Sequence, residues 1–218
     1  MLLLLLQILA AYLIGSIPTG YWIGKARGID VRKVGSCSTG ATNVYRSVGK
    51  LAGIATLIID LLKGLLPVIY SQKISHELAL NVGNLAFNLS DIAPVLVALT
   101  TIIGHSKSIF LGMQGGKSAA TGLGTMLALS PPAGGLTFAT WLIVVFTSKI
   151  VSLASMTAAV ANVGYMIFFQ APRAFVIYSV IGCLYVVIRH KANIKRLMNG
   201  TEAKITAAKT TAAKSGDK

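Results

Sequence analysis

The sequence predicts an all-α membrane protein, a seven-transmembrane helix bundle with its N-terminus outside and its C-terminus cytoplasmic. Three observations carry this reading. Only 12% of the 218 residues are charged while 54% are hydrophobic, about half the charge of a soluble domain. The apolar residues fall in runs near the twenty that a helix needs to cross a bilayer. The cations cluster at the ends of those runs, where they set topology. A formal charge of +14 placed in this way suits anionic headgroups, so no nucleic-acid partner is expected. Cys37 and Cys183 are far apart and form neither a disulfide nor a ligand pattern. No metal and no cofactor are expected.

Residues 1–24 are apolar for long enough to span. No basic residue precedes the run and no A-x-A site ends it, so a membrane helix is expected, not a cleaved leader. Gly15-Ser16-Ile17-Pro18-Thr19-Gly20 interrupts it, with small residues for close approach and a proline for a break. Lys25, Arg27, Arg32, Lys33, Arg46 and Lys50 follow, which places residues 25–50 in the cytoplasm. The second span, 51–70, carries Asp60 and Lys63 on one helix face. Charges inside a membrane are costly and face the bundle interior, as a structural ion pair or in contact with substrate.

Residues 71–77 read as an external loop. The third span is expected from about Ile92, because Asn81, Asn84, Asn88 and Asp91 make the preceding stretch polar. Residues 105–117 return to the cytoplasm with Lys107 and Lys117. The apolar segment 119–146 is interrupted by Pro131-Pro132 and Gly134-Gly135, as one kinked helix or two short ones. Spans 150–169 and 174–188 follow, and the C-terminal segment carries eight Lys or Arg. An N-out, C-in chain needs an odd number of spans, and splitting 119–146 gives seven. Seventeen of the twenty Lys and Arg then lie on the cytoplasmic side. Residues 1–202 form one membrane domain, and 203–218 form a basic, disordered tail.

Three cytoplasmic stretches combine glycines, hydroxyls and cations. Gly35–Arg46 offers backbone N–H groups, short donors and a guanidinium to an anion, or is a solvated turn. Gly115-Gly116-Lys117-Ser118 is similar to a phosphate-binding loop, but Leu111 stands where the first glycine of that motif is required. What remains is a helix N-terminus with free N–H groups and a lysine, or a topology anchor. In the third stretch His190 is an acid–base candidate, since histidine as a residue type titrates near neutrality, and the spacing of Asn193 and Arg196 lets them share its helix face. Glu202 is a second acid–base candidate. An ordinary juxtamembrane helix with a capping pair is the alternative.

Taken together these stretches resemble the bacterial acyl-phosphate:glycerol-3-phosphate acyltransferases, the PlsY family. The resemblance rests on Gly35-Ser36, Gly40-Ala-Thr-Asn43-Val and Arg46, on Gly104-His105, Phe110, Gly115-Gly116-Lys117 and Ala120-Thr121-Gly122, and on Arg189-His190, Asn193-Ile194, Arg196-Leu197, Gly200 and Glu202. Gly15–Pro18 and Asp60-x-x-Lys63-Gly64 add to it. It implies a bundle in the bacterial inner (plasma) membrane with its site facing the cytoplasm. The implied reaction moves a fatty acyl group from acyl phosphate to the 1-hydroxyl of glycerol 3-phosphate, giving lysophosphatidic acid. Catalytic roles are implied for Ser36, His190, Asn193 and Glu202. Contacts to substrate phosphate are implied for Ser36, Thr42, Asn43, Arg46, Gly115, Gly116, Lys117 and Arg196. Acyl phosphate, glycerol 3-phosphate and the bilayer are the expected partners; oligomeric state is left open.

Two positions depart from the family pattern: Cys37 and Ser118 stand where glycine is usual and make their loops less adaptable. No H-x-x-x-x-D pair and no G-x-S-x-G elbow occurs. An activated acyl donor suits a site built on positioning and charge. A transporter for an anionic metabolite shares the broken helices and cationic loops, but no inverted repeat is visible.

Overall fold

The computed structural model describes residues 2–75, 79–82 and 85–205. Helix α1 (Leu2–Ser16) breaks before α2 (Thr19–Lys25), and a short α3 (Ala41–Ser47) leads into the long α4 (Lys50–Ile74). A hairpin of β1 (Ala79–Val82) and β2 (Leu85–Asn88) pairs antiparallel, Ala79 opposite Asn88 and Val82 opposite Leu85. Then come α5 (Leu89–Ser106), a 3₁₀ turn at Ile109–Leu111, α6 (Ala119–Leu129), α7 (Pro131–Ser148), α8 (Val151–Phe168), α9 (Arg173–Arg189) and α10 (Lys191–Met198).

The break in the first apolar segment has a local cause and a distant support. Pro18 has no N–H to give to the preceding turn, which weakens the helix at this point. The Ile17 carbonyl beside it accepts Lys63 Nζ of α4 at 2.9 Å. Lys63 in turn lies 2.8 Å from Asp60, both fully buried. The Asp60–Lys63 pair therefore serves the break itself.

Glycines bring the helices close. A Cβ on Gly64 of α4 would fall 2.1 Å from the Thr121 carbonyl of α6, and one on Gly124 of α6 only 2.0 Å from the Leu61 carbonyl of α4. Small residues let apolar helices meet where lipid offers no hydrophobic drive. At 119–146 the two-helix alternative holds: Ser130 is extended (φ −146°), and Pro131 opens α7. Proline suits that first position because its missing N–H has no intrahelical partner there.

Two expectations shift. Residues 71–74, assigned to an external loop, continue α4 to Ile74. Helix α5 starts at Leu89, three residues before Ile92, with Asp91 in its first turn. A carboxylate there complements the helix dipole, so the polarity marks the start of the helix. The hairpin adds strands to a fold otherwise read as all-α, in the polar stretch that precedes the third span.

Val68, Val97, Ala98, Ile102, Met166 and Tyr178 are among the buried residues that join α4, α5, α8 and α9. Large apolar side chains also cover the outside, among them Leu66, Ile143, Phe168 and Ile188. An apolar exterior of this extent is that of a protein whose solvent is lipid. Stretches 2–25, 50–74, 131–148 and 151–168 are each long and apolar enough to cross a membrane, whereas α6 is shorter. Helices α9 and α10 meet at a bend of 60°. The expected boundary after Glu202 is crossed by two hydrogen bonds, Arg46 to the Ala203 carbonyl (2.7 Å) and the Ile205 N–H to the Lys149 carbonyl (2.7 Å). The rest of the expected tail, 206–218, lies outside the described residues.

Candidate active site

A cavity of about 610 Å³ opens at the end of the bundle where α3, α10 and the segment 201–203 meet. Ser36, Thr42, Arg46, Lys117, His190 and Glu202 line its polar mouth, and Asn43, Asn193 and Arg196 also reach it. Farther in, the lining turns apolar, with Leu57, Leu61, Leu123, Phe138 and Trp141. A charged mouth over an apolar interior matches a ligand with an anionic head and a hydrocarbon chain.

Asn43 shapes the first stretch. It is 3% exposed, and its Nδ2 donates to the carbonyls of Val31 (2.8 Å), Ser38 (2.8 Å) and Val34 (3.2 Å). Its Oδ1 accepts the Ser36 N–H at 2.9 Å. With Ser47 Oγ also donating to Oδ1 at 3.5 Å, its capacity is spent within the protein, so Asn43 positions Ser36 and is not free for a phosphate. Gly35 leaves room for that clamp, since a Cβ there would fall 2.4 Å from Asn43 Oδ1. Ser36 is exposed at the mouth. Arg46, one turn beyond Asn43, gives Nη2 to the Ala203 carbonyl and keeps a buried Nε without a partner among the described residues. Burial lowers the guanidinium pKa and Glu202 opposes the shift.

The second stretch differs from its expected geometry. The Gly116 N–H is not free; it donates to the His105 carbonyl at 3.2 Å. A Cβ on Gly115 would fall 2.2 Å from the same carbonyl, and one on Gly116 2.2 Å from His105 Nε2. Both glycines lie outside the cavity lining, and their carbonyls face Arg189 Nη2 (3.0 Å from Gly116, 3.5 Å from Gly115). They seat the loop against α5, and Lys117 reaches the cavity mouth. Ser118 follows in the left-handed region at φ 61°, its hydroxyl donating to the Ile102 carbonyl at 2.7 Å. Cys37, the other family departure, is also left-handed at φ 54°. Both departures thus fall where glycine is free of strain.

The third stretch holds the hub. Glu202 accepts Ser152 Oγ at 2.7 Å and Asn193 Nδ2 at 2.5 Å on one oxygen, and Arg196 Nε at 2.6 Å on the other. Burial raises its pKa, but these three hydrogen bonds outweigh that and hold it below the ordinary value. Asn193 passes the order on, accepting Lys117 Nζ at 2.5 Å. Burial and the neighbouring Arg196 bring Lys117 down to about 8, with Glu202 opposing. Lys117 therefore remains mostly protonated at pH 7.

His190 caps α9 and is 4% exposed. Its Nδ1 lies 2.7 Å from the Val186 carbonyl. A carbonyl only accepts, so Nδ1 carries the proton and Nε2 is the acceptor. Burial brings the ring to about 4, with Lys117 adding to the shift and the Val186 bond resisting it. The imidazole is neutral near pH 7.

Nine of the eleven expected positions thus line one cavity, while Gly115 and Gly116 support it from behind. Ser152 and Arg189 escaped the sequence reading as site residues. Ser152 sits in an unmarked apolar helix, and Arg189 belongs to the family motif with no role implied for it. Among the described residues no group of three His, Cys, Asp or Glu side chains converges. A mouth bearing Arg46, Lys117 and Arg196 suits an anion.

The family model for glycerol-3-phosphate acyltransferase matches residues 5–200. Glycerol-3-phosphate acyltransferases of Nostoc sp. and Thermosynechococcus vestitus are 45% and 46% identical to the chain, covering 91% and 92% of it and 90% and 94% of their own lengths. A crystal structure of PlsY, an integral membrane glycerol 3-phosphate acyltransferase in its glycerol 3-phosphate form, superposes with a TM-score of 0.84 at 33% identity, covering 92% of this chain and 94% of that one. Its lysophosphatidic acid form gives 0.81 at 32% identity. With the first two motifs and all of the third but Glu202 inside the matched region, and with the three gathered at one cavity, the chain belongs to the glycerol-3-phosphate acyltransferase family.

Proposed function

We propose that this membrane acyltransferase joins a fatty acyl group from acyl phosphate to the 1-hydroxyl of glycerol 3-phosphate, producing lysophosphatidic acid and inorganic phosphate. The observation that carries the proposal is the cavity, which joins a mouth of three cations to an apolar interior. Arg46, Lys117 and Arg196 hold the phosphate groups of the two substrates, with Ser36 and Thr42 as neutral donors. Asn193 and Glu202 fix Lys117 and Arg196, which removes ordering cost at the moment of reaction.

The hydroxyl oxygen of glycerol 3-phosphate attacks the acyl carbonyl carbon. A carbon–oxygen bond forms, the bond from acyl carbon to phosphate oxygen breaks, and phosphate leaves. His190 Nε2 accepts a hydrogen bond from the attacking hydroxyl and orients it. A ring titrating near 4 is a weak base, whereas the phosphate oxygen gains a negative charge as its bond to the acyl carbon breaks and is the better sink. The proton therefore departs with the leaving phosphate.

Seven apolar helical segments, with α1 and α2 counted as one, support seven crossings. The clustering of Lys and Arg supports an outside N-terminus and a mouth facing the cytoplasm, in a bacterial inner membrane. Residues 1–202 act as one domain. The deciding assay supplies acyl phosphate and glycerol 3-phosphate to the purified protein in detergent and follows lysophosphatidic acid. The expected result is product with acyl phosphate and little with acyl-CoA. No product from acyl phosphate, or near wild-type turnover in both Arg46→Ala and Lys117→Ala, refutes the proposal.

A further inference from the structure

Beyond its apolar walls the cavity lining reaches buried polar side chains well inside the bundle. Along α8 the lining residues Ser152, Ser155, Ala159 and Asn162 recur at helical spacing, leading inward from the Glu202 hub. Asn162 is 1% exposed. Its Oδ1 accepts Thr137 Oγ1 of α7 at 2.8 Å, and its Nδ2 donates to Met126 Sδ of α6 at 3.0 Å. On the facing side Tyr178 of α9 shares a hydrogen bond of 2.5 Å with Thr125 of α6. Four helices are thus tied together, and Asn162, Thr137, Met126 and Tyr178 all line the cavity.

We propose that Asn162, Thr137 and Met126 form a floor that sets the acyl-chain length this enzyme prefers. The inference rests on the acyl-transfer reading above and adds the determinant of donor specificity. Ten residues of α8 separate Ser152 from Asn162, about 15 Å of helix. With carbon–carbon bonds of about 1.5 Å, an extended chain advances about 1.3 Å per carbon, so roughly twelve carbons reach the floor. A longer chain has to part the Thr137–Asn162 pair, leaving buried polar groups unmatched, or turn aside and lose wall contact. The polar tie serves specificity because it resists displacement more than a side chain held by dispersion alone.

The experiment measures kcat/KM across acyl phosphates of increasing length for wild type, Met126→Ala and Ala159→Leu, with glycerol 3-phosphate saturating. Met126→Ala lowers the floor and Ala159→Leu narrows the passage above it, where that residue is only partly buried. The long-to-short donor ratio is expected to rise about tenfold in the first and fall about tenfold in the second, with KM for glycerol 3-phosphate unchanged. A ratio between donors does not depend on the fraction of folded enzyme, so partial unfolding does not blur it. If both variants keep the wild-type donor ranking while transferring acyl groups, the floor proposal is overturned and the activity stands. If wild type yields no lysophosphatidic acid with any donor, both fall.

Discussion

Lys117 is held where its charge is costly, and the consequence has opposite signs in activity and in stability. It titrates at about 8 in the folded chain against an ordinary 10.5, because burial and Arg196 disfavour the ammonium. Below pH 8 the folded and unfolded chains both carry the proton, and the cost of burying the charge is fully present. Between 8 and 10.5 the unfolded chain alone keeps it, so stability rises with pH in that window. The full difference corresponds to about 3 kcal/mol, and solvent at the open mouth reduces it to about 1–2 kcal/mol. Activity moves the other way. A charged hydrogen bond to phosphate contributes about 1.5–3 kcal/mol, so kcat/KM falls roughly 10- to 150-fold as Lys117 deprotonates. Because kcat/KM reports the free enzyme, the limb lies near pH 8. Lys117→Ala lowers kcat/KM at pH 7 by the same factor, and Lys117→Arg removes the limb because a guanidinium stays charged. Rate profiles and thermal unfolding between pH 7 and 10 test both arms. A flat kcat/KM from pH 7.5 to 9.5, or an unchanged limb in Lys117→Arg, would falsify the assignment.

His190 follows the same sign in a lower pH window. Its folded value of about 4 against 6.5 means that stability is lost as pH falls from 6.5 toward 4, where only the unfolded chain takes up the proton. His190→Asn is expected to flatten that loss in acid unfolding curves and to lower kcat about 10- to 100-fold with little change in KM. The two left-handed side chains separate in thermal unfolding. Exposed Cys37 has only a long thiol contact to the Gly35 carbonyl at 4.0 Å, so Cys37→Gly stabilises by about 1 kcal/mol through relief of strain. Ser118→Gly is near neutral because it gives up the bond to Ile102 along with the strain, and Ser118→Ala, losing only the bond, destabilises by about 1–2 kcal/mol.

Composition, run length and cation placement were sufficient to read a helical membrane bundle, because the bilayer penalises unpaired backbone and charge so heavily that few patterns survive. The same logic marked the break at Pro18 and the split at Pro131. The three glycine-and-cation stretches were legible because each concentrates anion-binding groups within a dozen residues. What each residue does inside them was not. Asn43 looks like a donor for substrate and spends its capacity on its own loop; Gly115 and Gly116 look like a phosphate cradle and serve as a close seat on His105. Ser152 carries no local mark at all and becomes a ligand of Glu202 only when α8 meets the chain after α10. Hydrogen-bond capacity is finite, and which partner claims it is settled by approach in space. Helix periodicity and charge belong to the sequence; the allocation of donors and acceptors among segments far apart in it belongs to the tertiary structure.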